Sequence, residues 1–425
     1  MIPAILLLAL PCAARPFGDS VPLVMLPPSV VKDPTPANAF VPFNSDYPGT
    51  QLPVHTLHAT KFMTVTITVQ AQPTQLQLPA SPPPTKPFMA TYFPDWTANE
   101  FPPEKIDFAR FTWIDFGKYF SGAVSSDSNR REFVNNIVAM YHKFNLDGID
   151  IDWEYPGVQG AGNNQVSSTD SARFLTFLQL LRAQLPESAK LTAATQVTPF
   201  AGPDGTPMRD VSAFAQVLDW ILIMNYDIWG ASATPGPNAP LRDSCHNSTQ
   251  PDASASASIA AWSAAGMPPN QITLGLPAYG YVQTSNARRL IQRRQVRKRM
   301  GKLRLKRDDN GGRGGVRIKA EGDGDDSDSG QVQFNQLVQG GALKLSPSGF
   351  VGAGGFKRMW DVCSSTPYLI SENANQVIAY DDPQSLGMKA AFARGAGLRG
   401  VNMFDVHGDT DDWALTDAIR EGLGL

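Results

Sequence analysis

The residues best suited to catalysis are four acids within the eight residues 147–154. Asp150, Asp152 and Glu154 alternate with isoleucine and tryptophan, and this two-residue period is that of a β-strand. In a strand the three acids share one face, and the isoleucines lie on the other, which can be buried. Carboxylates this close cannot all ionise easily, so at least one pKa should be raised and one proton retained near neutral pH. The stretch therefore predicts a catalytic acid.

A solvated acidic loop or a calcium site is the alternative interpretation of these acids. An EF-hand calcium loop spaces its acids differently and has a glycine at its sixth position. It also places no β-branched residues between its ligands, so the strand interpretation is favoured.

The surrounding chain contains short apolar runs and stretches of helical spacing. Helical spacing occurs in residues 129–140, 171–182 and 385–394. Strands are predicted at the start of residues 88–96, which end in an aromatic-bearing loop, and at residues 111–116, 191–196, 220–227, 272–281 and 399–405. An apolar run that ends in polar residues, as residues 220–227 do, is typical of a buried parallel strand that delivers its end to a site.

The string from Asp147 to Glu154 resembles the signature of glycoside hydrolase family 18, the chitinases and related endo-N-acetylglucosaminidases. The resemblance implies an α/β fold, a (β/α)8 TIM barrel in which this string is the fourth strand. It also implies a retaining mechanism in which the substrate's 2-acetamido carbonyl attacks the anomeric carbon. Glu154 would be the general acid, Asp152 would orient the acetamido group and stabilise the oxazolinium ion, and Asp150 would tune Asp152.

Other segments resemble the same family. The run Met224-Asn225-Tyr226-Asp227 is similar to its Met-x-Tyr-Asp element, which implies that the Tyr226 hydroxyl bonds the acetamido carbonyl. Phe404 matches a position where most chitinases have tryptophan, so weaker stacking on the sugar is expected. The residues that the resemblance assigns to substrate binding are Tyr92, Trp96, Met224, Asp227, Tyr279 and Phe404. For Tyr92 and Trp96, ordinary core packing is the alternative.

One part of the sequence departs from the family pattern. Phe116 ends the second predicted strand, and only residues 117–122 precede the stretch leading to the helix at 129–140. A βα unit needs about thirty residues, so the third strand unit is predicted to be missing. A missing exon or a faulty gene model would explain this, and a seven-stranded remnant is the alternative.

The N-terminus predicts export. Residues 1–14 resemble a secretory signal, with an apolar run too short to span a bilayer. Cleavage after residue 14 would leave Cys245 and Cys363, an even pair that favours a disulfide over two buried thiols. Asn247 begins an Asn-Ser-Thr sequon and is a candidate glycosylation site.

The remaining chain divides into three predicted regions. Residues 15–86 are rich in proline and threonine and predict a linker or stalk, and residues 87–425 form the barrel domain. Within it, residues 286–330 carry a basic block followed by an acidic one. A disordered insertion is favoured there over nucleic-acid binding or nuclear import.

The chain has 425 residues and a net charge of −3, so neither nucleic-acid nor membrane binding is expected of the whole protein. The family resemblance and the predicted export signal together imply a secreted, extracellular or cell-wall-associated monomeric chitinase that acts on chitin or chito-oligosaccharides without a metal or an organic cofactor. A chitin-binding lectin-like protein and an endo-β-N-acetylglucosaminidase acting on N-glycans are the alternatives.

Overall fold

The computed structural model of the chain describes residues 88–91, 120–144, 146–160, 165–231, 234–290, 315–320 and 330–425. The predicted signal, the predicted linker and the second predicted strand therefore lie outside the described residues. Residues 117–119, which follow that strand, lie outside them as well. Tyr92 and Trp96 also lie outside them. In the part of the chain that is described, no helix is both long and apolar enough to cross a membrane.

The described strands and helices alternate along the first two thirds of the domain. The strands are β1 (Phe88–Thr91), β2 (Gly148–Asp152), β3 (Lys190–Thr195), β4 (Trp220–Ile223), β5 (Ile272–Pro277), β6 (Tyr279–Thr284), β7 (Gly330–Gln333), β8 (Leu343–Ser346), β9 (Gly349–Gly352), β10 (Lys357–Asp361), β11 (Thr366–Ser371), β12 (Gln376–Ala379) and β13 (Gly400–Phe404). The helices are α1 (Phe120–Ala123), α2 (Asp127–Phe144), α3 (Asp170–Gln184), α4 (Ser212–Ala215), α5 (Ala255–Ala264), α6 (Phe334–Gln339), α7 (Pro383–Gly395) and α8 (Ala414–Leu423).

Six strands form one parallel sheet in the order β1-β13-β5-β4-β3-β2. The first strand pairs with the last, which is the arrangement of a sheet that curls into a barrel. Strands β4 and β5 are buried along their whole length, as expected for strands covered on both faces. Among the described residues the sheet does not close between β1 and β2.

The predicted alternation is confirmed within β2, but the strand ends at Asp152, so Glu154 lies beyond it. Ile149 and Ile151 are buried in the main core, whereas Asp150 and Asp152 are only partly buried. Just beyond the strand, Trp153 stacks on Phe120 with ring centroids 5.4 Å apart. Apolar packing against the helices thus fixes the strand from behind and turns its acids toward the opposite side.

A second, antiparallel sheet is inserted between β5 and α7, with the order β10-β11-β12-β6-β7. Residues 272–281, predicted as one strand, are two strands that belong to different sheets and break at Ala278. A single strand is impossible here because the Ala278 N–H donates to the Phe404 carbonyl of the parallel sheet, whereas Tyr281 pairs with Ala379 of the antiparallel sheet.

The predicted disorder of residues 286–330 does not extend to residues 315–320. Ile318 is 4% exposed, and its backbone N–H and carbonyl are both bonded by the side chain of Gln376, at 3.1 and 2.7 Å. The Val316 N–H donates to the Gly354 carbonyl at 2.7 Å. These six residues are therefore docked on the protein, because an apolar side chain is buried and the neighbouring backbone groups are satisfied.

Candidate active site

The acids converge at the carboxyl end of β2, where parallel barrels place their active sites. Asp150 accepts a hydrogen bond from the Thr192 hydroxyl of the neighbouring strand β3. Asp152, one residue pair further along, has one carboxylate oxygen, Oδ1, that is buried and accepts no hydrogen bond from the described residues.

Burial raises the pKa of Asp152 well above its ordinary value of 3.8, and the nearby charges of Glu154 and Asp150 raise it further. Removing a carboxylate from water disfavours its ionised form, and neighbouring negative charges have the same effect. The raised pKa predicted for one acid of the cluster is thus found at Asp152. Because this carboxyl lies beside Glu154, the ionisation of one group affects that of the other.

Tyr155 follows the acid motif and shares its environment. Its pKa is raised, chiefly by burial and then by the charges of Glu154, Asp152 and Asp227, and its hydroxyl is hydrogen-bonded to Glu154. A neutral tyrosine that contacts Glu154 fixes the direction of that carboxyl group. The Glu154–Tyr155 peptide bond is cis.

Tyr226 lies just beyond β4 and is almost fully buried. Burial is the main cause of its raised pKa, followed by the charges of Asp152 and Asp227, so its hydroxyl stays protonated and can donate. Its ring stacks on Phe404 with centroids 5.8 Å apart, and Tyr279 packs edge-on at 6.2 Å. Met224 belongs to the same apolar cluster.

Gly275 on β5 makes room for Tyr226. A Cβ atom added at this glycine would lie 2.8 Å from Cε1 of Tyr226 and 2.7 Å from the Ile223 carbonyl oxygen. Both distances are shorter than van der Waals contact, so any larger residue would displace either the β4 backbone or the tyrosine ring.

Asp227 is exposed and forms the polar side of the site. Its Oδ1 atom accepts hydrogen bonds from the Tyr279 hydroxyl at 2.6 Å and from the Tyr281 hydroxyl at 2.7 Å. Burial and the charge of Asp227 raise the pKa of both tyrosines. The carboxylate therefore has two neutral donors fixed on one oxygen.

The structure brings together most of the side chains predicted for the site. These are Asp150, Asp152, Glu154, Met224, Tyr226, Asp227, Tyr279 and Phe404. Sequence reasoning missed Tyr155, Thr192, Gly275 and Tyr281. For Tyr155 and Tyr281 a signal was present, since each stands next to or two residues from a predicted site residue. In the described part of the chain, no group of three or more His, Cys, Asp or Glu residues could hold a metal ion.

Cys245 and Cys363 form a disulfide with their Cα atoms 5.1 Å apart. It joins the loop after β4 to the turn between β10 and β11. The candidate glycosylation site Asn247 is exposed, and its N–H donates to Asp243 in the same loop.

Known proteins resemble the chain over most of this domain. A chitinase-like effector of Moniliophthora roreri is 34% identical over 384 residues, which cover 79% of this chain and 92% of that protein. Chitinase A1 of Niallia circulans is 26% identical over 315 residues, 72% of this chain and 40% of that protein.

A solved structure shares the fold. The crystal structure of a chitinase from Rhizomucor miehei aligns with a TM-score of 0.58 and 27% identity, covering 73% of this chain and 83% of that one. The predicted α/β barrel class is thereby confirmed. The sequence profile of Glycosyl hydrolases family 18 matches residues 112–409. On this profile and on its relatives, the chain belongs to glycosyl hydrolases family 18.

Proposed function

We propose that this protein is a secreted chitinase that hydrolyses β-1,4 linkages in chitin and N-acetylglucosamine oligomers. The observation that carries the proposal is the acid cluster at the end of β2, in which the pKa of Asp152 is raised beside Glu154 and Asp150. A carboxyl group with a raised pKa beside a second carboxyl group, at the carboxyl-terminal face of a barrel, suits a glycosidase that starts by protonating its leaving group.

In the proposed reaction Glu154 donates a proton to the glycosidic oxygen while the bond between that oxygen and the anomeric carbon breaks. The substrate's 2-acetamido carbonyl oxygen forms the new bond to this carbon, which gives an oxazolinium ion. Asp152 orients the acetamido group and stabilises the positive charge of the ion. Glu154, now a carboxylate, takes a proton from the water that opens the ring, and the configuration at the anomeric carbon is retained.

Tyr226 would hold the reacting acetamido group. Its raised pKa keeps the hydroxyl neutral, so it can donate to the carbonyl oxygen that attacks the anomeric carbon. Phe404 stacks on Tyr226 and offers an apolar surface beneath the sugar. Asp227, with its tyrosine neighbours, would bind the sugar's polar groups at the cleft wall.

Export is part of the proposal. A disulfide between Cys245 and Cys363 persists in oxidising compartments and is rare in the cytosol. Together with the N-terminal signal predicted at residues 1–14, this supports an extracellular or cell-wall-associated enzyme. Asn247 is exposed in the disulfide-bonded loop, where a glycan could be attached.

The first prediction concerns Glu154. Glu154→Gln keeps the size of the side chain but removes the transferable proton, so kcat should fall by about 10²- to 10⁴-fold, while the affinity for N-acetylglucosamine oligomers is retained. Hydrolysis of a fluorogenic oligomer and calorimetric binding of an unlabelled one measure the two effects. A variant with wild-type turnover would remove Glu154 from the mechanism.

A second candidate function is sugar binding without hydrolysis. It is favoured by the name chitinase-like effector, which two relatives carry. The same experiment separates the candidates, because a binding protein would hold the oligomer without turning it over, in the wild type as in Glu154→Gln. An N-glycan substrate run in parallel tests the endo-N-acetylglucosaminidase alternative, and cleavage of that substrate alone would replace the chitinase proposal.

A further inference from the structure

Asn238 is a buried amide that lies outside the acid motif and contacts two residues of the site. Its side chain is 1% exposed in a loop that follows β4. The Oδ1 atom accepts a hydrogen bond from the Asp227 N–H at 2.8 Å. The Nδ2 atom donates to the Tyr279 carbonyl at 3.1 Å. One side chain thus bridges the end of β4 and the start of β6.

These bonds close a ring with the contact already described between Asp227 and Tyr279. The Tyr279 hydroxyl donates to the Asp227 carboxylate at 2.6 Å, and the Tyr279 backbone is tied to the Asp227 backbone through Asn238. The two residues are therefore held together at the ends of their side chains and also at their main chains. The distance between them is fixed twice.

The backbone of Asp227 needs such support. Its φ angle is +58°, in the left-handed region that residues other than glycine adopt only when the surroundings favour it. The next residue is fixed as well, because the Ile228 N–H donates to the Asn238 main-chain carbonyl at 3.1 Å. Asn238 therefore satisfies two consecutive N–H groups, one with its side chain and one with its backbone.

The chemistry of the position selects an amide. Oδ1 has to accept from an N–H and Nδ2 has to donate to a carbonyl, and an asparagine side chain supplies an acceptor and a donor on one short branch. Aspartate would keep the acceptor only, and alanine would leave the Tyr279 carbonyl and the Asp227 N–H without this partner. A buried backbone group that loses its partner is unfavourable.

We propose that Asn238 is a positioning residue, whose amide fixes the main chains of Asp227 and Tyr279 so that the exposed Asp227 carboxylate is held against two tyrosine hydroxyls at the wall of the sugar cleft. Asn238 itself does not touch the substrate. The inference rests on the proposed function, because N-acetylglucosamine oligomers are taken as the ligands of that cleft.

The first test does not depend on any ligand. In a crystal structure of full-length Asn238→Ala, Asp227 should leave the left-handed conformation, and its Oδ1 atom should move beyond hydrogen-bond distance of the Tyr279 hydroxyl. A variant in which Asp227 keeps its φ angle and both tyrosine contacts would overturn the proposal.

The second test measures coupling. Asn238→Ala should lower kcat/KM for the oligomer by about 10- to 100-fold, the size expected when a binding group is displaced by about 1 Å. In an Asp227→Ala background the same substitution should have little further effect, because the group that it positions is absent. Equal losses in both backgrounds would mean that Asn238 supports the fold generally, and would contradict the proposal.

The matched control is Gln250→Ala. The Gln250 side chain donates to the Ile228 carbonyl at 2.8 Å, so this variant loses one hydrogen bond of the same loop without touching Asp227. It should lower the melting temperature and leave kcat/KM within about twofold. If Gln250→Ala reduces kcat/KM as much as Asn238→Ala does, loop stability explains the result and the proposal fails.

A further variant covers the case in which Asn238→Ala does not fold. Asn238→Asp keeps the size and the acceptor but places a carboxylate oxygen against the Tyr279 carbonyl, so the Tyr279 hydroxyl should move away from Asp227. Unchanged contacts in its crystal structure would overturn the proposal. If the wild type neither hydrolyses nor binds the oligomers, the proposed function fails, and the crystal structures alone still decide the role of Asn238.

Discussion

Asp152 is unfavourable for folding for the same reason that supports its role in the proposed reaction. One of its oxygens is buried without a hydrogen-bond donor from the described residues, and Glu154 and Asp150 add negative charge nearby. Ionisation of such a group destabilises the folded state. In the proposed reaction, the acetamido group of the substrate would supply the missing partner.

The raised pKa of Asp152 predicts how stability changes with pH. A carboxyl whose pKa is higher in the folded state contributes stability that is fully present below its unfolded pKa, near 3.8, and is lost as pH rises through the folded value. The amide of Asp152→Asn does not ionise, so the variant does not lose this stability as pH rises. The melting temperature of the variant minus that of the wild type should therefore increase between pH 3.5 and pH 7, by about 2 °C or more for each 1.4 kcal/mol of linkage.

The pH dependence separates ionisation from packing. An amide at this position also changes hydrogen bonding and fit, but that contribution is the same at every pH. A melting-temperature difference that stays constant from pH 3.5 to pH 7 would show that Asp152 titrates normally in the folded protein. It would contradict the raised pKa.

At the residue scale, the sequence predicts the part of the site that is local in the chain. Asp150, Asp152 and Glu154 alternate along β2 and the residues just after it, and Tyr226 lies just beyond β4 in a second local motif. Asn238 could not be found from the sequence, because its partners Asp227 and Tyr279 are 11 and 41 residues away. A lone asparagine between two prolines predicts only a turn.

At the scale of elements, β5 and β6 were predicted as one strand. Both are short, and only Ala278 separates them. The distinguishing feature is Gly280, where an added Cβ would lie 2.2 Å from the Ala379 carbonyl oxygen. This close approach of β12 follows from the second sheet, and no periodicity in residues 272–281 encodes it.

The docked segment at residues 315–320 did have a signal. Val316 and Ile318 alternate with the exposed Arg317 and Lys319, which is the period of a half-buried strand. The strongly charged residues on either side outweighed it. Composition describes a long window well and a six-residue segment poorly, because a few buried side chains can anchor a short segment.

Gln376 is predicted to hold this segment. Its buried side chain bonds both backbone groups of Ile318, as a neighbouring strand would. Gln376→Ala should leave both groups without this partner, which costs about 1–3 kcal/mol, and the amides of residues 315–320 should exchange hydrogen faster. Hydrogen exchange followed by mass spectrometry measures the change.

Gln384→Ala serves as its control. Gln384 accepts a hydrogen bond from Arg358 at 2.8 Å and makes no contact with residues 315–320 that the structure shows. Hydrogen exchange of residues 315–320 in Gln384→Ala should equal that in the wild type. Identical protection of residues 315–320 in Gln376→Ala would mean that the burial of Ile318 alone anchors the segment.

At the scale of the whole molecule, the disulfide connects the two sheets. Cys245 and Cys363 are 118 residues apart in the chain, so the bond restricts a large loop of the unfolded protein. Replacing both cysteines by serine should lower the free energy of unfolding by about 2–5 kcal/mol, measured by guanidinium denaturation under non-reducing conditions.

Wild-type protein treated with a reductant is the reference for that measurement. Its denaturation midpoint should fall to that of the double serine variant, and the reductant should not affect the variant. If wild type and variant unfold at the same midpoint without reductant, the bond does not stabilise the molecule.

The antiparallel sheet is an insertion whose two ends lie next to each other. Its chain enters through β6 and leaves through β12, and these strands lie side by side, with Tyr281 opposite Ala379. Segments whose ends are neighbours can be swapped between homologues with little disturbance of the host domain. Such a graft would carry Tyr279 and Tyr281 with it and leave Asp227 behind. Recombination at this junction would thus change the tyrosine neighbours of Asp227 in a single step and spare the acids of β2.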